Sequence, residues 1–171
     1  MIADSLMASL TAKLALFVSM AALATGATRT CANGWIEGPS SCYRFVMDRK
    51  VPWKTAQGLC RDMGGVLTTL DNHIEIMWLR GYRGYHPNLR EAVWIGGYRK
   101  SKNWLWKGRI ADKAITLTDW APKEPNNDDG DEKCIMLYGY NSKIDIKDAY
   151  RWNDKECDFK LPFICERDYE F

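Results

Sequence analysis

Six cysteines, Cys31, Cys42, Cys60, Cys134, Cys157 and Cys165, constrain this chain more than any other feature. They follow Lys13 and the apolar run Leu14 to Ala24, which ends in the small-residue stretches Ala22-Leu23-Ala24 and Thr25-Gly26-Ala27. That pattern predicts a secretory signal peptide over residues 1–27, cleaved after Ala24 to Ala27. Eleven apolar residues are too few to span a bilayer, which takes about 20. No later run is long enough either, so no membrane span is expected and the mature protein is read as secreted and extracellular. An even cysteine count behind a signal peptide predicts disulfides. Six cysteines allow 15 pairings, and spacing alone does not choose among them. The absence of a C-x-x-C pair makes a zinc or thioredoxin-like reading weak.

About 140 residues then remain to fold, enough for one domain that buries roughly two-thirds of its unfolded surface. Eight tryptophans supply much of that core. Along the chain, Gly34-Trp35 and Gly38-Pro39-Ser40 mark a turn-rich hairpin, and Cys42 to Val46 alternates as a strand. Pro52 opens a helix whose apolar face is Trp53, Ala56 and Cys60 and which ends at Gly64-Gly65. Val66 to Leu70 reads as a short strand. Asp71 or Asn72 then caps a second helix, with Glu75 in capping-box position. Its inward residues are expected to be Ile74, Met77 and Trp78. His73 in its first turn and His86 beside Pro87 read as solvated or loop residues. Short strands follow at Val93–Gly97, Trp104–Trp106, Cys134–Tyr138, Tyr150–Asn153 and Phe163–Cys165. Two early helices and many short strands predict an α+β fold.

Function concentrates between Glu124 and Cys157. Glu124-Pro125-Asn126 is followed by Asn127, Asp128, Asp129, Gly130, Asp131 and Glu132, and Trp152-Asn153-Asp154 closes the stretch. Nearly every side chain at its two ends offers oxygen, the donor that suits Ca²⁺ with its six to eight ligands. An EF-hand fails on register, because Gly130 at the sixth position puts Pro125 first and Met136 twelfth. A glycosidase would need a carboxylic acid held protonated, and this polar loop keeps its acids ionised, so no enzyme is expected. Charge is uneven. Arg80 to Lys113 carries nine Lys/Arg against Glu91 and Asp112, and Asp119 to Glu132 carries six acids against Lys123. Such runs are usually solvated faces; the basic one retains the capacity to meet anionic surfaces. With a formal charge of only +2, no nucleic-acid partner is expected.

The motifs in order are Trp53-x-x-Ala56-x-x-x-Cys60, Trp94-Ile95-Gly96-Gly97, Glu124-Pro125-Asn126, Glu132-x-Cys134, Trp152-Asn153-Asp154-x-x-Cys157 and Phe163-Ile164-Cys165-Glu166. Together they resemble a secreted C-type lectin with a single carbohydrate-recognition domain over 31–167, similar to single-domain lectins of the perlucin type. The resemblance implies two helices packed on small antiparallel sheets with a long Ca²⁺-binding loop. It implies the pairs Cys60–Cys165, Cys134–Cys157 and Cys31–Cys42, and a cis bond before Pro125. It also implies five residues that hold one Ca²⁺ and the carbohydrate together: Glu124, Asn126, Glu132, Asn153 and Asp154. Sugar hydroxyls can bind the ion, donate to a carboxylate and accept from an amide, which accounts for mixed acids and amides. The Glu-Pro-Asn form resembles lectins for mannose-type sugars, so glycans with mannose-type vicinal hydroxyls are the expected partners, including microbial surface polysaccharides in innate immunity. The competing role is that of a calcium-carbonate matrix protein. A second Ca²⁺ site of the family would draw acids from positions held here by Asn127, Lys133 and Arg99 or Lys100, so one ion is expected. The sequence contains no collagen repeat or heptad run that would set an oligomeric state.

Overall fold

The computed structural model describes residues 28–128, 130–140 and 148–170, and the expected signal peptide lies outside them. Thr30 to Glu170 form one compact unit. Its strands are β1 (Ile36–Glu37), β2 (Cys42–Val51), β3 (Val66–Leu67), β4 (Val93–Lys100), β5 (Asn103–Trp106), β6 (Lys113–Ala114), β7 (Glu132–Leu137), β8 (Trp152–Glu156) and β9 (Leu161–Arg167). Two helices, α1 (Trp53–Asp62) and α2 (His73–Tyr85), complete the expected α+β arrangement with a 3-10 turn at Pro87–Leu89.

The strands join in the order β1-β2-β9-β4-β5-β6, with β3 on β9 and β7 between β4 and β8. All named pairings are antiparallel except β4 with β9, which meet at Trp94 and Phe163. The central strands are buried on both sides, and their alternation divides the interior in two. Val93 and Ile95 of β4, Ile135 and Leu137 of β7, and Ile164 of β9 pack with Ile76 and Leu79 of α2. Their neighbours Trp94, Cys134, Met136, Phe163 and Cys165 pack with Trp53, Ala56 and Cys60 of α1. A period of two therefore places one helix on each face. Trp94, Trp106 and Trp152 are fully buried. The Trp94-Ile95-Gly96-Gly97 motif has a steric reason: a Cβ on Gly96 would lie 2.6 Å from the Leu67 carbonyl oxygen, too close to tolerate.

The disulfides are Cys31–Cys42, Cys60–Cys165 and Cys134–Cys157, and no described cysteine is free. Cys60–Cys165 joins α1 to β9 across 105 residues, a closure worth ~4.7 kcal/mol on the chain-entropy account. Cys134–Cys157 ties β7 to the residue just past β8.

Helix α2 departs from expectation. Asn72 caps it, accepting from the Glu75 N–H at 2.9 Å. Ile74 and Met77, however, are 70% and 66% exposed, and Glu75, Ile76, Leu79 and Arg83 are the buried set. Apolar character did not decide the face, because two of its inward positions are polar groups with partners in other elements. Glu75 accepts from Tyr43 Oη at 2.6 Å, and Arg83 Nε donates to the Leu89 carbonyl at 3.0 Å. Among the described residues no helix is long and apolar enough to cross a membrane.

Candidate functional site

The hub of the site is Asp154 on β8, which is fully buried. Its two carboxylate oxygens accept the backbone N–H groups of Asn126 and Asn127 at 3.1 and 3.0 Å. One strand side chain thereby fixes the turn that follows the cis Glu124–Pro125 bond. Adjacent strand residues point to opposite sides, so Asn153 reaches elsewhere: its Oδ1 lies 3.1 Å from the Tyr138 hydroxyl. That hydroxyl is also 2.9 Å from Glu124 Oε1 and has one proton to share between them.

Glu132 opens β7 and is 2% exposed. Its Oε2 accepts from the Asp128 N–H at 3.0 Å and its Oε1 from Lys155 Nζ at 2.8 Å. Asn126 Oδ1 accepts from the same Asp128 N–H at 2.9 Å, and Asn126 Nδ2 donates to Glu124 Oε1 at 3.3 Å. The five expected residues are thus joined in one hydrogen-bonded network. Among the described residues no three His, Cys, Asp or Glu side chains converge as a metal-holding group. Asp129 lies outside the described residues.

Glu124 Oε2 is sealed from solvent and has no hydrogen-bond partner. Burial raises the Glu124 carboxyl above the usual glutamate value, outweighing the Tyr138 hydrogen bond, and the Asp154 charge adds to the rise. For Lys155 burial opposes the charge, but hydrogen bonds to Glu132 and Glu156 overcome it and raise its pKa. A buried orphan carboxylate oxygen among oxygen-only donors fits a hard cation. The Lys155 ammonium meanwhile neutralises Glu132 from within.

Two contributors escaped the sequence. The sequence marks Tyr138 only as a strand end, and nothing local tells that its hydroxyl reaches Glu124 and Asn153. Lys155 had a usable signal, since it stands two residues past Asn153 and shares that face of β8. Around the positions of a second ion, Arg99 Nη2 donates to Asn127 Oδ1 at 2.9 Å, and Lys133 pairs with exposed Asp131. A cation and an amide stand there.

Known proteins are similar to this chain in sequence and fold. Perlucin of Haliotis laevigata is 32% identical over 142 residues, covering 81% of this chain and 83% of perlucin. The solved structure of SPL-1 in complex with GlcNAc is 27% identical, with a TM-score of 0.66 over 81% of this chain and 95% of that one. The Ca²⁺-independent C-type lectin SPL-2 from Saxidomus purpuratus is 25% identical, with a TM-score of 0.66 over 81% of this chain and 94% of that one. Residues 49–167 match the family model described as "Lectin C-type domain". The fold, the three bridges and these matches place the chain in the C-type lectin family, as a carbohydrate-binding domain and not an enzyme.

Proposed function

We propose that this chain is a secreted, calcium-dependent lectin for mannose-type glycans, with residues 1–27 as its signal peptide and one Ca²⁺ per domain. The carrying observation is the buried, unpartnered Glu124 Oε2 inside a network that alternates acids with amides. Glu124, Asn126, Glu132, Asn153 and Asp154 would hold the ion. Bound there, the ion supplies a Lewis-acidic anchor for two neighbouring sugar hydroxyls. The chain's own part is orientation and hydrogen bonding. Glu124 and Glu132 accept hydroxyl protons, while the Asn126 and Asn153 amides donate to hydroxyl oxygens. Asp154 keeps the Asn126–Asn127 turn in register, and Arg99 holds Asn127 from behind. Recognition of microbial surface glycans is the role this chemistry suits.

The likeness to perlucin favours a second reading, in which the same acidic loop works in a calcium-carbonate matrix. Tissue of expression separates the two roles, and retention on mannose resin tests the lectin reading itself. Elution by both EDTA and free mannose is expected, and retention unchanged by EDTA would refute calcium dependence.

A further inference from the structure

Beside the sugar loop, α1, β4 and the Cys134–Cys157 bridge line an open surface cavity of about 380 Å³, within the usual range for small-ligand sites. Its floor is apolar: Trp53 and Tyr98, with ring centroids 5.7 Å apart, together with the disulfide. Its rim is cationic, formed by Lys54, Arg99, Lys107 and Lys133, and no acid lines it. Gln57 also lines it; the residue is only 9% exposed, and its Nε2 is buried with no partner. A sealed amide donor without an acceptor is costly unless something supplies one.

We propose that this cavity is a second binding site, which takes the sulfate or carboxylate group of an acidic sugar. The aromatic floor suits the apolar face of a sugar ring, the four cations suit its charge, and Gln57 suits an acceptor oxygen. The nearby acids are weak competitors. Asp131 pairs with Lys133 at the exposed rim. Asp112 sits beside Lys107 at 2.9 Å and takes the Tyr98 hydroxyl proton bond. The exposed Lys133–Asp131 pair is of a kind worth little and yields to a ligand.

The cavity adjoins the proposed sugar site. Arg99 lines it and holds Asn127, while Lys133 follows Glu132 in the chain. Resting on the proposed calcium-dependent site, the inference is that acidic glycans bind across both places and outcompete neutral ones.

The test is a titration of the whole domain, followed by NMR at the Gln57 side-chain amide and the Trp53 and Tyr98 rings. The probes are N-acetylglucosamine, its 6-sulfate and glucuronic acid, each with calcium and in EDTA. The 6-sulfate is expected to shift the Gln57 amide in both conditions and, with calcium, to bind about tenfold more tightly than the neutral sugar. Lys54→Glu, an exposed position, should remove that gain and leave neutral-sugar binding unchanged. A response to the sulfate alone assigns a sulfate site, and an equal response to glucuronic acid assigns a general anion site. A Gln57 amide that responds to neither anion, or equally to the neutral sugar, overturns the proposal. If neutral sugar fails to bind with calcium while the 6-sulfate still moves Gln57, the calcium-dependent reading falls and the cavity stands.

Discussion

The molecule buries carboxylates in two places, and they are finished differently. At the start of α2, Glu75 is 5% exposed and both its oxygens are taken. Oε1 accepts from the Ser40 and Tyr43 hydroxyls, and Oε2 from Asn72 Nδ2 at 2.6 Å. At the long loop, Glu132 of β7 and Asp154 of β8 are as deeply buried, yet Glu132 leans on a lysine and Glu124 keeps one oxygen without a partner. Burial of an acid is therefore no mark of a binding site. Glu75 differs from Glu124 in that neighbours fill its acceptor positions, and Glu166, whose Oε2 is also buried without a partner, shows that an orphan oxygen marks a site only together with the donors around it. Near Glu75, Glu166 meets burial in a third way. Its carboxyl is pushed up to about 8 by desolvation despite the Thr69 hydroxyl bond at 2.7 Å.

The sharpest way to break this comparison is to change one acid in each place. Asp154→Asn keeps shape but removes one ligand charge and one acceptor of the Asn126–Asn127 clamp. Loss of sugar affinity of at least about 100-fold is expected, the top of the range seen for residues behind a metal's ligands. Glycan binding by titration checks it, and a variant within tenfold of the parent would merge the two clusters in kind.

Glu75→Ala should do the reverse. It strands the Tyr43 and Ser40 hydroxyls in the interior, at a cost of roughly 2–3 kcal/mol. Thermal unfolding should shift down by about 5–10 °C, with sugar affinity unchanged when measured well below the transition.

Acid separates the places again. Glu124 is raised above an ordinary glutamate, so it gains its proton at a higher pH as acidity increases. A protonated carboxyl does not ligate, and calcium-held sugar should be released, by tenfold or more, on going from about pH 7 to about pH 4. Glu75 bonds Ser40, Tyr43 and Asn72 and none of the five loop residues, so Glu75→Ala should leave the pH profile of sugar retention in place.

The smallest effect concerns Lys155. Its ammonium sits 2.8 Å from Glu132 and opposes a second cation. Lys155→Met, similar in length and uncharged, should tighten calcium about three- to tenfold by relieving that competition. Calcium titration with a competing chelator measures it. A weaker calcium affinity would show that Lys155 positions Glu132 for the ion instead.

Much of this was legible in the residues, and the parts that were not share a cause. Val93–Ile95 and Phe163–Cys165 announced buried strands because their alternation is local, and the family motifs carried the cysteine pairing. The face of α2 departs from its apolar pattern because Glu75 turns inward to Tyr43, 32 positions away, and Arg83 to the carbonyl of Leu89 in the following turn, leaving Ile74 and Met77 outside. Tyr138 was missed for the same reason, since a hydroxyl that crosses 14 positions to Glu124 has no local signature. The cavity under Lys54 and Lys133 likewise draws its cations from four separate segments, and only folding gathers them.

Calorimetric titration of calcium into the metal-free domain, followed by a mannoside, tests the central claim most directly. One tight equivalent of calcium is predicted, with mannoside heat that appears only after calcium and vanishes in EDTA. Mannoside binding of equal strength without calcium, or two tight calcium equivalents, would contradict the account of Glu124, Asn126, Glu132, Asn153 and Asp154 as a single-ion sugar site.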